Sequence, residues 1–331
     1  MHFVTHFTIA LISLIAIVLS CILFTNAIEF LGNKLKLGNN ATGSILAVIG
    51  TGLPEFIVPI VAVFGANFSG KKIDIASDIA LGAILGSPFM LSTLALFLLI
   101  IVLVIKKRNK LNVDTNFVIR DYKYFLLAYA IAMMFSFKFL NEYKIIAGVI
   151  LFFLYGIFVC RTIVKSRCAC VECECEGIYF KFTNEKFALF IQLITSFLML
   201  ILASHFFVSE IKYFSTLFGV APSILALLAT PFATELPECI NSLIWLKQEK
   251  DELAISNILG AIIFQATLLF AIGIFLTPWL FNLELFIASL ISVFGAVVLL
   301  FSVLKNKKIS LTNLLFCGIL YFSYLIFLLI R

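Results

Sequence analysis

Gly50-Thr51-Gly52-Leu53-Pro54-Glu55 and Ala233-Thr234-Glu235-Leu236-Pro237-Glu238 are two copies of one short string, each set in a long apolar stretch and each ending on proline and glutamate. A charged side chain in hydrocarbon costs at least about 2.5 kcal/mol on insertion scales, so two carboxylates at matching places imply a shared use such as an ion pathway. The proline before each glutamate lacks an N–H and crowds the carbonyl four residues back, which breaks the helix and frees the oxygens of Gly50 and Ala233. Free carbonyls at membrane depth are tolerated where they line a cavity or bind a cation.

The surroundings fix the setting. Of 331 residues, 63% are hydrophobic and 13% charged, whereas a soluble domain is nearer about 45–50% apolar. The chain reads as an all-α polytopic membrane protein. Apolar runs of about 20 residues place ten spans near 8–31, 42–65, 79–105, 119–138, 144–164, 187–211, 222–246, 253–277, 283–304 and 310–330. The first has no basic residue ahead of it and no small-residue cleavage site after it, so it reads as a span and not a signal peptide. Most of the 24 lysines and arginines, including Lys34, Lys36, Lys106, Arg108 and Lys250, fall in loops on one side. That side is cytoplasmic by the positive-inside rule, which puts both termini outside. The same bias accounts for the net charge of +6 without any nucleic-acid partner.

Superposing Glu55 on Glu238 also lays Asn26-Ala27-Ile28-Glu29 on Ser209-Glu210-Ile211-Lys212, and, after a shorter loop, Asp78 to Ser87 on Glu252 to Ala261. Each half holds five spans, and an odd number turns the second copy over. The expected architecture is therefore ten transmembrane helices as two inverted five-helix repeats, residues 1–164 and 187–331, joined by a cytoplasmic linker, 165–186. Such folds hold substrate and coupling ions near the midplane, where broken helices of the two repeats meet.

At these residues the chain resembles the calcium/cation antiporter superfamily, the sodium/calcium exchangers and their bacterial relatives, whose repeats read Gly-Thr-Ser-Leu-Pro-Glu followed by an Asp-Leu-Ala-x-Gly-Asn-x-x-Gly-Ser helix. The resemblance implies a cation site built from Glu55, Glu238, Thr51, Thr234, Ser87 and Gln265. Departures are uneven between the copies. The serine after the threonine is Gly52 in the first copy and Glu235 in the second. The Gly-Ser serine is Ser87 and then Ala261, the polar residue four places on is Leu91 and then Gln265, and the asparagine before the pair is Ala83 and then Asn257. Leu91 and Ala261 each remove an oxygen, while calcium takes six to eight. Glu235 lies three residues before Glu238, on the same helical face, and two close carboxylates need a cation or a proton between them. Glu235 is expected to replace the missing oxygens and to move coupling from sodium toward protons.

The linker carries Cys168, Cys170, Cys173 and Cys175 interleaved with Glu172, Glu174 and Glu176, a set suited to a regulatory soft or borderline metal, to acylation beside the membrane, or to a plain tether. Cys21, Cys160, Cys239 and Cys317 read as buried, inert helix residues. Glu29 and Glu210 read as interfacial carboxylates near water or as lining an access path, and His205 as a packing residue. Gly43, Gly82, Gly86 and Gly260 suit close helix contacts. No phosphate-cradling loop, zinc-protease motif or cofactor fingerprint is present, so no enzyme and no resident cofactor is expected. The expected function is secondary active antiport of calcium or a related cation against sodium or protons, in a prokaryotic inner membrane. The alternative is a passive cation channel or a transport-inactive scaffolding relative.

Overall fold

The structure is a computed structural model and describes residues 2–52, 55, 73–167, 177–180, 184–217 and 230–330. Its first helix, α1 (His2–Lys34), has 33 residues. α2 (Asn39–Ala41), a π-helical turn (Thr42–Ala47) and α3 (Val48–Thr51) then form one continuous rod. α4 (Ile73–Met90), a second π-turn (Leu91–Ala95) and α5 (Leu96–Ile105) form another. α6 (Thr115–Met134) and α7 (Lys144–Arg167) close the first half.

The second half begins with α8 (Glu185–Leu217), again of 33 residues. α9 (Thr230–Thr234) and α10 (Leu236–Lys247) follow. Next come α11 (Asp251–Phe264), a third π-turn (Gln265–Leu269) and α12 (Phe270–Leu276). α13 (Leu283–Asn306) and α14 (Leu311–Ile330) end the chain. Among the described residues the architecture is all-helical apart from one antiparallel pairing of two-residue strands, β1 (Lys110–Leu111) with β2 (Ile309–Ser310).

Among the described residues seven helices are long and apolar enough to cross a membrane. Of the other three expected spans, 42–65 and 222–246 run into residues outside the described set. The third is α6, a helix as expected, but Arg120, Asp121 and Lys123 interrupt its apolar run. Burial sorts the helices. Over an apolar stretch of 18 residues within Asp251–Leu276, 83% are buried, and over one of 18 within Phe3–Lys34 only 28%, so the α11 rod is the centre and α1 is peripheral. Large apolar side chains such as Phe7, Ile15, Phe153, Phe190 and Phe301 are exposed. Faces of this kind are covered by lipid in a membrane protein.

α1 packs on α8 more extensively than any other pair of elements. His6 meets Glu210 at 2.7 Å near one end and Asn26 meets Gln192 at 2.8 Å near the other, so the two helices run antiparallel. At about 50 Å each they exceed a hydrocarbon core of about 30 Å, a surplus accommodated by tilt. Close contact in the centre uses glycine: a Cβ on Gly260 would lie 2.4 Å from Ser44 Cα, and one on Gly43 2.9 Å from the Leu253 carbonyl oxygen.

Several side chains differ from the sequence reading. Glu29 and Glu210 are buried, Glu29 ion-paired with Lys250 and Glu210 in contact with the His6 ring nitrogen, and do not sit open to water. Cys160 is exposed, unlike Cys21, Cys239 and Cys317. His205 is exposed on α8, beside Phe206. Helices ending at Lys34, Ile105 and Lys247 finish on a left-handed residue, Lys36, Lys107 and Glu249 respectively. In each case the next N–H reaches a carbonyl five residues back, from Leu37 to Gly32, Arg108 to Leu103 and Lys250 to Trp245. This is a Schellman closure made without the glycine that would announce it in sequence.

Candidate functional site

The break before Pro237 is visible as a bend at Glu235, between α9 and α10. Pro237 has no N–H to offer the Ala233 carbonyl, while Glu235 N still donates to Pro231 O and Cys239 N to Glu235 O. The interruption is thus one residue wide, and it leaves Glu235 on one side of it and Glu238 in the first turn of the next helix. Cys21 of α1 lies against this turn, its thiol 3.9 Å from the Pro237 carbonyl oxygen. Pro54 and the residues after Glu55 lie outside the described set, but Glu55 itself and the helix leading to Thr51 and Gly52 belong to it.

Glu55, Glu235 and Glu238 converge. One carboxylate oxygen of each lies within 4.8 Å of the other two, and all three side chains are buried. Gln265, at the start of the third π-turn, joins two of them: its Nε2 donates to Glu55 Oε2 at 2.6 Å and to Glu235 Oε2 at 2.8 Å. Thr51 sits against Glu238 and Ser87 against Glu235. The Thr51 hydroxyl donates to the Ala47 carbonyl at 3.0 Å, which turns its lone pairs outward. Thr234 is buried and donates to Pro231 O at 3.3 Å within its own helix. The four cysteines of the linker lie outside the described residues.

What remains is a surplus of acceptors. Among the described residues no donor reaches Glu55 Oε1, Glu235 Oε1, Gln265 Oε1 or either carboxylate oxygen of Glu238. An ionised carboxylate only accepts, and a buried charge without a partner costs several kcal/mol. Three of them side by side are therefore compensated by cations or protons. Oxygen-only ligation of this kind suits hard cations.

Two residues outside the expected ligand set contribute, Asn257, which matches the asparagine of the repeat pattern, and Phe264. Asn257 of α11 donates to the Glu238 carbonyl at 3.0 Å and to Ser242 Oγ at 2.9 Å, fastening the start of α10 to the central rod. Phe264 occupies the place of a lost side chain: a Cβ on Gly52 would lie 2.8 Å from its ring. A further signal is the π-turns at Leu91–Ala95 and Gln265–Leu269, which begin at the two positions that align between the repeats. Such single turns accompany functional sites and re-aim the residues that follow.

The sequence profile of the sodium/calcium exchanger protein family matches residues 5–164 and 188–331, nearly the whole chain. The chain belongs to that family. It is accordingly an integral membrane transport protein of the antiporter kind, and not an enzyme. Its fold is similar to that of the sodium-calcium exchanger NCX_Mj soaked with 2.5 mM Na+ and 0.1 mM Ca2+, at a TM-score of 0.73 and 20% identity over 97% of each chain. The same exchanger soaked with 2.5 mM Na+ and 1 mM Sr2+ gives 0.75, again at 20% identity over 97% of each. The H+/Ca2+ exchanger CAX gives 0.72 at 17% identity, over 97% of this chain and 82% of the other. No curated protein sequence matches.

Proposed function

We propose that this member of the sodium/calcium exchanger family is a secondary active antiporter that exchanges calcium or a related cation for sodium or protons by alternating access. One observation carries the proposal: buried carboxylates of both sequence repeats, Glu55 from the first and Glu235 and Glu238 from the second, bring oxygens within 4.8 Å of one another. In this reading 1–164 and 187–331 are inverted five-helix repeats joined by the linker 165–186. The termini face outward, the linker faces the cytoplasm, and the membrane is a prokaryotic inner membrane. Antiparallel packing of α1 on α8, which occupy matching places in the two halves, supports the inversion.

Each residue then has a part. Glu55, Glu235 and Glu238 hold the cation, with Gln265 Oε1 and the hydroxyls of Thr51, Ser87 and Thr234 as neutral ligands. The Gln265 amide nitrogen bridges Glu55 and Glu235 and orients them when no cation is bound. Removing the cation leaves carboxylates that cannot all stay charged at this separation. A second cation or protons must replace it, and that competition makes the exchange obligatory. Glu235, the carboxylate that the family pattern lacks, favours protons as the replacement. The solved relatives are described as a sodium-calcium exchanger and as an H+/Ca2+ exchanger, so both couplings have a precedent on this fold.

Isotope flux in proteoliposomes tests the proposal. Calcium uptake is expected against a sodium or a proton gradient, with loss in Glu55→Gln and in Glu238→Gln; unchanged uptake in both variants refutes the site. Glu235→Ser is expected to retain uptake against sodium and to lose its response to a pH gradient. Uptake driven by sodium alone in the unmodified protein removes Glu235 from coupling. Leu91 and Ala261, both buried where the pattern has oxygens, favour a channel or an inactive relative as the second reading. Counterflow separates these: a carrier is accelerated by cation on the far side, a channel is not, and an inactive relative shows no flux.

A further inference from the structure

α6 and α7 pack side by side and leave a groove of about 520 Å³ between them, open toward the outside of the helix bundle. Its floor is apolar, with Ile119 and Leu127 from α6 and Leu154 and Ile157 from α7. Its rim is cationic, with Arg120, Lys123 and Arg161. From Arg161 to Leu154 is seven residues, about 10 Å along a helix, and from Lys123 to Leu127 is four residues, about 6 Å. Charge thus gives way to hydrocarbon over the distance that separates a lipid phosphate from the first part of its acyl chain.

The rim is built, and the charges of Lys123 and Arg161 on it are unspent. Arg120 is fixed by Asp121 at 2.7 Å and Asn40 Oδ1 at 3.2 Å, and its guanidinium lies 5.6 Å from the Phe158 ring centre. Tyr124 packs edge-on against the same ring, and Arg161 donates to the Tyr124 hydroxyl at 3.4 Å. Four other cations on this side of the molecule are neutralised: Lys34 by Glu185, Lys106 by Glu249, Arg108 by Asp251 and Lys250 by Glu29. Among the described residues Lys123 and Arg161 have no carboxylate within ion-pair distance, and no acidic residue lines the groove. Arg120 and Lys123 also interrupt a helix that is otherwise apolar enough to span.

We propose that this groove is a binding site for an anionic phospholipid of the surrounding bilayer. The phosphate meets Lys123 and Arg161, beside the fixed Arg120, and an acyl chain lies on Leu127, Leu154 and Ile157. Basic pockets between transmembrane helices at the cytoplasmic face are suited to such headgroups. The site is remote from Glu55, Glu235 and Glu238 in sequence and composition, and it stands whether or not the chain exchanges calcium.

Native mass spectrometry of the purified full-length protein, titrated with phosphatidylglycerol or phosphatidylcholine, tests it. The unmodified protein is expected to retain phosphatidylglycerol preferentially. Lys123→Gln with Arg161→Gln is expected to weaken that retention by roughly fivefold for each cation removed. The charge-preserving pair Lys123→Arg with Arg161→Lys keeps it and controls for folding. Ile157→Trp, at an exposed floor position, is expected to lower retention with every charge in place. Equal retention of the two lipids by the unmodified protein overturns the proposal, as does a preference that survives the double glutamine variant. Displacement of the lipid by inorganic phosphate, with no effect of Ile157→Trp, overturns it in favour of a site for free anions.

Discussion

The two copies of the motif do unequal work. The first brings one carboxylate, Glu55, and opposite its serine-deficient Gly52 lies the Phe264 ring. The second brings two carboxylates, Glu235 and Glu238, and its rod supplies the amide of Gln265 where the first rod has Leu91. Sequence duplication therefore produced a site without matching halves. In the proposed site the oxygens absent from the first rod are offset by a charge on the opposite helix, which concentrates charge on the second repeat.

Removing charge from either side is the severest way to break this comparison. Glu55→Gln removes the one carboxylate that the first copy brings to the cluster among the described residues, and Glu238→Gln the one whose two oxygens have no donor among them. Calcium affinity follows ligand charge closely, so each is expected to lower exchange in proteoliposomes on the order of 100-fold or more. The protein should still fold, because a neutral amide is easier to bury than a carboxylate. Retained exchange in Glu55→Gln alone would mean that the second copy suffices.

Making the copies alike at the π-turns is the next step down. Gln265→Leu gives the second rod the residue of the first, Leu91, and strips Glu55 Oε2 and Glu235 Oε2 of their shared donor. Leaving buried acceptors unpaired costs about 1–3 kcal/mol. The melting temperature in detergent should fall, and saturating calcium should recover much of the loss if the cation compensates the same carboxylates. An unchanged melting temperature would show that Gln265 is dispensable to the empty site.

Much of this was legible in the sequence, and the reason is that membrane charge is costly enough to be conspicuous. Glu55, Glu235 and Glu238 stand out in any reading of their spans, and Glu235 was separable from the repeat pattern by one position. What was not legible depends on contacts between segments distant in the chain. Gln265 reads as a diverged ligand, and only the fold shows that its amide bridges Glu55 to Glu235. Glu29 and Glu210 read as open to water because Lys250 and His6 are far away in sequence. The π-turns have no local composition that announces them. The left-handed closures at Lys36, Lys107 and Glu249 use residues that ordinarily avoid that conformation.

Restoring a side chain at Gly52 probes the wall of the first copy. A serine there must place its Cβ where the Phe264 ring lies at 2.8 Å and the Val48 carbonyl oxygen at 2.9 Å. Overpacking of this kind costs about 1–3 kcal/mol; the Phe264 ring can give slightly, whereas the Val48 carbonyl is backbone and cannot. Gly52→Ser should therefore destabilise the protein in a melting experiment. In a Phe264→Leu background the cost of the serine should shrink, since neighbours in contact are not additive. Equal costs in both backgrounds would show that Phe264 does not fill the lost position.

The smallest effect belongs to the seam where the copies meet at one face. Lys106, just past α5 of the first half, pairs at 3.0 Å with Glu249, just past α10 of the second. Hydrogen bonding and charge from Lys106 hold the Glu249 carboxyl below its ordinary range. A depressed carboxylate contributes stability above its unfolded pKa and loses it as pH falls through the lower folded value, so this seam weakens only on the acid side. Glu249 is fully exposed, and screening by water leaves such pairs with little net effect. Glu249→Gln should therefore leave the melting temperature at pH 7 unchanged within error. Asp251→Asn should lower it clearly, because Asp251 is buried and takes two contacts from Arg108 and one from the Asn112 N–H. The reverse order would mean that the halves are joined through their exposed charges instead of their buried ones.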